Sequence, residues 1–364
     1  MSDSLAADVH ARPRRSAIAG AIASAALFGV SAPASKVLVG LTDPWMLAGL
    51  LYAGSGACLG IILLVRAVFA RGAPREPHIT ARQLPWLLLA IGAGGVAGPV
   101  LLMFGLARGS ATEAALLLNL EGVFTGLLAW RLFREHLDRR LAAGIAAISA
   151  GALVLAWHPS PGYRASWSAL LVAGACLAWA LDNNLTRRVA TADPVEIVSL
   201  KGGLAGATSI AIALAQGSAW PSLPTVVAAA GVGALSYGIS LVLYILAMRE
   251  LGAARAGAYF STAPFLGALF GVVGLGEPVT TTLLIAALLM AVGVWLHVTE
   301  RHEHDHAHAP TTHEHRHRHD EHHRHAESTD AGSEPHSHWH AHAALSHRHR
   351  HYPDPHHRHG HGNQ

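Results

Sequence analysis

The sequence predicts an all-α integral membrane protein: ten transmembrane helices in two inverted five-helix repeats, then a disordered His-rich C-terminal tail. Three observations predict it. First, the chain is 51% hydrophobic and only 13% charged, against about 25% charged in soluble domains, and its apolar residues fall in long runs. Second, the chain resembles itself at long range. Third, composition changes abruptly near residue 300. There "HEHDHAHAP" begins at His302, and the last 63 residues hold 22 of the 27 histidines. The expected divisions are a cytoplasmic segment 1–15, repeats over 16–158 and 159–299, and a tail over 300–364.

A span needs roughly 20 mostly apolar residues, and ten stretches meet that. Span 1, 16–39, follows "RPRR" and contains Pro33 and Lys36. Its basic start gives it the outline of a signal peptide, but the apolar run is too long for a signal's core and more spans follow. Span 2, 45–65, opens after Asp43-Pro44. Span 3, 84–107, carries Gly94-x3-Gly98 and Pro99. Span 4, 111–133, carries Glu113, Glu121 and Gly122-x3-Gly126. Span 5 is 139–157. Span 6, 166–187, ends on "LDNNLTRR", which places Asp182, Asn183 and Asn184 inside the membrane. Span 7, 195–216, follows Asp193-Pro194 and carries Lys201 and Gly202-x3-Gly206. Span 8, 223–248, holds Ser236, Tyr237, Ser240 and Tyr244. Span 9, 254–275, holds Tyr259, Ser261, Thr262, Pro264 and Gly267-x3-Gly271, and span 10 is 279–298. The four Gly-x3-Gly pairs read as sites of close helix approach. Pro33, Pro99 and Pro264 each remove a helix donor and kink the helix there.

Arginine sets the direction. With the N-terminus cytoplasmic, inside segments hold fifteen arginines and outside segments only Arg108 and Arg164. Ten spans then leave the tail cytoplasmic as well. "TDPWMLAGLLYAG" at 42–54 aligns with "ADPVEIVSLKGGL" at 192–204, an offset of 150. "SATEAALLLNLEGVFTGLLAWRLFREHLD" at 110–138 aligns with "GAARAGAYFSTAPFLGALFGVVGLGEPVT" at 252–280, an offset of 142. Each copy has five spans, an odd number, so the second enters from the opposite side, as in many secondary transporters with a site near the midplane.

On these residues the chain resembles the EamA family of the drug/metabolite transporter superfamily, over 16–298. Pro264 and Glu277 fall on the proline and glutamate of the family's repeat. The first copy departs, with Gly122 at the proline position and Glu121 before it. Lys36 and Lys201 fall where the family often has a basic residue. The resemblance implies a multispan inner-membrane carrier for a small organic solute, without saying which.

A charge at the bilayer centre costs about 2.5–3.5 kcal/mol on the insertion scale, so each embedded one has to be explained. Glu121 lies about ten residues from either end of span 4, on one face with Leu117 and Thr125. It reads as a substrate or coupling-ion site, or as a carboxyl paired or protonated between helices. Asp182 and Lys201, at similar depth on consecutive spans, read as an ion pair. Asn183, Tyr259 and Ser261 complete the candidate polar lining, with Pro264 as a structural kink. Lys36 is close enough to a span end to snorkel to the interface. Glu135 and Glu277 are expected to cap the helix that follows each.

The alternating histidines, among them His302, His304, His306, His308, His313, His315, His317 and His319, suit zinc or nickel. No histidine lies in a span interior, so the tail suggests metal and the transport path does not. The expected function is secondary transport, in the direction of export, of a small organic metabolite or amino-acid-like solute. The alternative is a divalent-metal exporter (zinc, nickel or cobalt) fed by the tail. No nucleotide-binding loop or nucleophile elbow supports an enzyme. The short loops leave no room for a soluble catalytic domain before the tail. Cys58 and Cys176, far apart, form no disulfide framework. No cofactor is expected to be required, and the tail offers a place for zinc or nickel. The expected partners are the bilayer, the solute and a coupling proton, with no nucleic acid. The oligomeric state is left open.

Overall fold

Long apolar stretches with few breakers become helices, because only internal hydrogen bonding satisfies the backbone away from water. The computed structural model describes residues 3–69, 79–133, 139–157, 166–186, 193–251, 253–299, 302–308, 311–317, 336–342 and 345–351. Ten helices in it are long and apolar enough to cross a membrane: Arg15–Leu38, Pro44–Phe69, Leu84–Arg108, Ala111–Leu132, Arg139–Ala156, Trp167–Thr186, Val195–Ala215, Leu223–Met248, Arg255–Leu275 and Thr281–Val298. They are spans 1 to 10 below, and they agree with the sequence reading to within a few residues. The boundary near residue 158, Glu135 and Arg187–Arg188 lie outside the described residues.

The chain divides into a helical unit, 1–71 with 76–300, and a second unit, 72–75 with 301–364. In the helical unit span 2 packs on span 7, span 4 on span 9 and span 5 on span 10. Span 3 packs on span 6 and span 1 on span 8, while span 6 meets span 4 and span 1 meets span 9. Renumbering every span by five maps this pattern onto itself.

Several spans are interrupted. Span 1 breaks at Val30, and a second helix, Ser31–Leu38, carries Pro33 in its first turn. Span 9 breaks at Ser261–Thr262, with Pro264 opening the next helix. Span 3 widens to a π-helix over Ile91–Ala97 just ahead of Pro99. Two interruptions have no proline: span 4 breaks at Leu118–Asn119, and span 8 has a π-helix over Ala234–Ile239.

Three of the four Gly-x3-Gly pairs are packing sites. A Cβ on Gly202 would lie 2.7 Å from the Gly56 nitrogen. One on Gly267 would lie 2.8 Å from the Gly29 oxygen, and one on Gly98 2.7 Å from the Trp179 Nε1. The fourth departs from expectation: nothing lies within 4 Å of a Cβ on Gly122 or Gly126. Their lack of side chains leaves space beside Glu121 and Thr125.

The Lys36 Nζ donates to the carbonyls of Leu106 (2.6 Å) and Gly109 (2.7 Å) at the end of span 3, where the helix dipole favours a cation. Glu277 caps a different helix from the one expected. Its carboxylate accepts from the backbone N–H groups of Ala111 and Thr112 (both 2.7 Å), at the start of span 4. Span 10 is capped by Thr280, whose hydroxyl accepts from the Leu283 N–H (3.1 Å). Nothing in the local run around Glu277 points to a partner 166 residues away. Lys36 and Glu277 thus hold the two ends of the turn between spans 3 and 4.

The tail was expected to lack regular structure, and four segments of it do not. Strand β1 (His302–His308) pairs antiparallel with β4 (Leu345–His351), and β2 (Thr311–His317) with β3 (His336–His342). The H-x-H alternation has the two-residue period of a strand. The register sets His304 opposite His349 and His315 opposite His338, and it sets Glu303 opposite Arg350 and Asp305 opposite Arg348. His319 lies outside the described residues.

Glu277 yields a stability prediction. Burial raises a carboxyl's pKa, but the donors from Thr112, Ala111 and Ser110 outweigh it and hold Glu277 below its ordinary 4.5. A lowered folded pKa gives stability that is present above the unfolded value and lost as pH falls through the folded one. At pH 7, Glu277→Gln should destabilise the protein by on the order of 1.5 kcal/mol. The melting temperatures of the two proteins should converge as pH falls below 4.5. A gap that stays constant with pH would show that the cap does not depend on the charge.

Candidate functional site

The polar residues of spans 4, 6 and 7 meet inside the bundle. Lys201 reaches both carboxylate oxygens of Asp182, at 2.6 and 2.7 Å. Thr186, one turn on from Asp182, donates its hydroxyl to Asp182 Oδ1 (2.8 Å) and lies 3.4 Å from the Lys201 ammonium. The pair is largely sheltered, with side-chain exposures of 15% for Lys201 and 9% for Asp182. In apolar surroundings a partner and several hydrogen bonds make each charge tolerable. Span 3 comes close because Gly94 has no side chain; a Cβ there would overlap the Asp182 carboxylate.

Beside the pair, Asn183 donates its amide to Glu121 Oε1 (2.8 Å) and lies 3.4 Å from the Thr125 hydroxyl. Glu121 and Thr125 therefore share a face, as one helical turn requires. Asn184, buried, donates to the Ala180 carbonyl (2.9 Å) and lies 3.4 Å from that of Thr125. Glu121 lies within electrostatic range of Asp182 and Lys201. Among the described residues, no cation pairs with it.

Rings form the facing wall. Tyr52 and Tyr237 have centroids 5.6 Å apart and Tyr237 and Phe28 5.9 Å. Phe28 and Phe260 are 5.2 Å apart, and Phe260 and Tyr244 4.7 Å. Tyr52 and Tyr244, at the two ends of this row, both lie within electrostatic range of Glu121. Glu121, Tyr52 and Tyr237 sit deep among protein atoms, yet each keeps accessible area. Accessible polar and aromatic groups thus lie on adjoining helices of the bundle.

The interrupted spans border this region. Gly94, inside the π-helix of span 3, gives its carbonyl to the Tyr52 hydroxyl (3.0 Å) and to the Trp179 indole N–H (2.9 Å). The break in span 1 abuts that in span 9, where a Cβ on Gly29 would lie 2.7 Å from the Ala263 carbonyl oxygen.

Of the sequence candidates, Glu121, Asp182, Asn183 and Lys201 come together. Tyr259 and Ser261 do not join them. Tyr259 packs with Ala21, Ala247 and Ala256, and the Ser261 hydroxyl donates to the Ala258 carbonyl (2.8 Å), which the helix break frees. Sequence reasoning missed Tyr52, Trp179, Thr186 and the rings of Phe28 and Phe260. Tyr52, one of two hydroxyls with Ser55 in span 2, was the available signal.

Comparison with known proteins places this arrangement in context. A family model described as the EamA-like transporter family matches residues 15–157 and again 166–299. An uncharacterized transporter of Methanothermobacter thermautotrophicus is 30% identical over 288 residues, covering 76% of this chain and 84% of its own. A probable 4-amino-4-deoxy-L-arabinose-phosphoundecaprenol flippase subunit ArnE of Pseudomonas fluorescens is 36% identical over 110 residues, 30% of this chain and 95% of that one. A crystal structure superposes with a TM-score of 0.57 at 22% identity, covering 78% of this chain and 95% of its own. That likeness shows the fold.

The ion pair yields a prediction. Lys201→Met strands the Asp182 carboxylate and should cost about 3–5 kcal/mol. Adding Asp182→Asn should recover most of that loss. Denaturation of the two single variants and the double variant in detergent measures the coupling, and additive effects would show that the pair is not a unit.

Proposed function

We propose that this chain, which belongs to the EamA-like transporter family, is a secondary transporter that exports a small organic solute across the inner membrane. The family and the ten apolar helices establish a multi-pass membrane transporter. The solute class, direction and membrane are our reading. The observation that carries it is the accessible carboxylate of Glu121 among interrupted helices and a row of rings, which we read as the lining of a solute cavity.

In this reading the two family matches are inverted halves of one carrier. The contact pattern that maps onto itself under renumbering by five supports that, as does the odd number of spans in each half. Glu121 is the substrate or coupling-ion carboxylate, binding the solute or a proton. Asn183 orients it. Asp182 and Lys201 hold spans 6 and 7 at the cavity wall. Both termini are cytoplasmic, which the arginine bias supports. The tail binds zinc or nickel there, off the transport path, and buffers metal or regulates the carrier. Among the described residues no three metal-ligating side chains converge, so the helical unit lends a metal-exporter reading no observation of its own.

A flux screen in inverted vesicles, with and without a proton gradient, tests the carrier. Glu121→Gln should cut flux at least about tenfold, a loss of about 1.4 kcal/mol, while the protein stays inserted and folded. Undiminished flux would remove Glu121 from the site. The same vesicles test topology and tail together. External protease should remove the tail, and with it most zinc or nickel binding, while organic flux persists. Before cleavage, metal binding should weaken as pH falls through about 6.5. A protected tail would overturn the topology, and loss of all flux on cleavage would favour the metal-exporter reading.

A further inference from the structure

We infer that the cavity selects a monovalent organic cation with a ring-sized apolar body: a protonated amine that carries no carboxylate. The inference rests on the transporter reading above and narrows its solute to one charge type.

The charges in the cavity decide the sign. Asp182 and Lys201 neutralise each other through two contacts under 2.8 Å. The other embedded lysine, Lys36, is held by two carbonyls at the end of span 3. Glu121 is the carboxylate left over. Asn183 occupies Oε1, and Oε2 has no hydrogen-bond partner among the described residues. An ammonium can donate there and bring the cavity's charge to zero. A solute carboxylate would meet the Glu121 carboxylate, and Lys201, the ammonium within range of it, is already engaged by Asp182.

The rings decide the body. Five aromatic side chains from spans 1, 2, 8 and 9 run in unbroken contact. All five keep accessible area. Ring faces carry negative electrostatic potential and attract a cation, and ring edges and faces pack against a flat apolar group. Tyr52 and Tyr244, at the two ends of the row, lie within electrostatic range of Glu121. A solute with its ammonium on Glu121 can turn its body to that row. A hydrophilic amine would leave that surface unused, and a neutral aromatic would leave Glu121 uncompensated.

The test is calorimetric titration of the full-length protein in lipid nanodiscs with three probes of one ring system: tryptamine, tryptophan and indole-3-propanoate. Tryptamine should bind at least about tenfold more tightly than tryptophan, and indole-3-propanoate should not bind measurably. Glu121→Gln, with its melting temperature checked, should abolish the preference for tryptamine. Tyr237→Leu should weaken tryptamine about fivefold without altering the order of the probes. Tryptophan binding as well as tryptamine, absence of tryptamine binding, or a preference that survives Glu121→Gln would each overturn the inference. None of these needs a variant to fold except the last, and the first two use the unaltered protein. Proteoliposome flux separates this from the broader reading. If other solutes move in a Glu121-dependent way and tryptamine does not bind, the cation site falls and the transporter stands. If tryptamine binds with the expected selectivity and no solute moves, the transporter reading falls.

Discussion

The constraint on which the helical unit depends is that a polar backbone group in apolar surroundings must be bonded within the protein. An unbroken helix satisfies it without help. This bundle breaks or widens five of its ten spans, so it has to supply partners from elsewhere. In span 3 the freed Gly94 carbonyl takes the Tyr52 hydroxyl and the Trp179 indole. At the break in span 4, Asn119 donates to the Leu116 carbonyl (2.8 Å), and the Cys176 thiol lies 3.5 Å from that of Leu117. At the break in span 9, Ser261 and Thr262 turn back on the Ala258 and Tyr259 carbonyls (2.8 and 2.7 Å). The end of span 3 takes Lys36 and the start of span 4 takes Glu277. Many of the polar side chains in the spans are thus committed to the backbone.

That commitment separates structural polarity from functional polarity. A serine or lysine in a membrane helix is ambiguous until its partner is known. Lys36, Ser261 and Glu277 all turn out to serve helix ends. Asp182 and Lys201 serve each other. Beside the ion pair, among the described residues, stand one carboxylate with an oxygen that no hydrogen bond engages and a row of rings that keep accessible area. The cavity is defined by what the fold leaves unpaired.

The parts of this that were legible in the sequence follow from periodicity and local chemistry. Ten apolar runs of the right length place ten spans, since hydrocarbon thickness alone sets their length. The Asp182–Lys201 pair was legible because two lone opposite charges at matching depth on consecutive spans have few other places to go. The π-helices of spans 3 and 8 and the proline-free break in span 4 were not, because a shift of one hydrogen bond leaves hydropathy unchanged. Gly122 and Gly126 carry the same motif as three true packing pairs, and motif alone does not tell an interface from a void. Glu277 was assigned to the helix beside it because long-range partners leave no local mark. The tail's strands were hidden by its low complexity. Composition there argues against a packed core, and it says nothing of a two-residue period paired across a register.

The asymmetry between the halves accounts for where the chemistry sits. At an offset of 150, Lys201 falls on Leu51 and Asp182 on Ala32; at an offset of 142, Glu121 falls on Ala263. Each charged residue of the cavity thus occurs in one half only, opposite an aliphatic residue of the other. Two identical halves would place like charges on both walls, doubling the desolvation cost, and would give a solute no reason to prefer one orientation. With the carboxylate and the ion pair on spans 4, 6 and 7, and the rings on spans 1, 2, 8 and 9, the cavity has one polar wall and one apolar wall. On the proposed reading, that difference alone orients an amphiphilic solute.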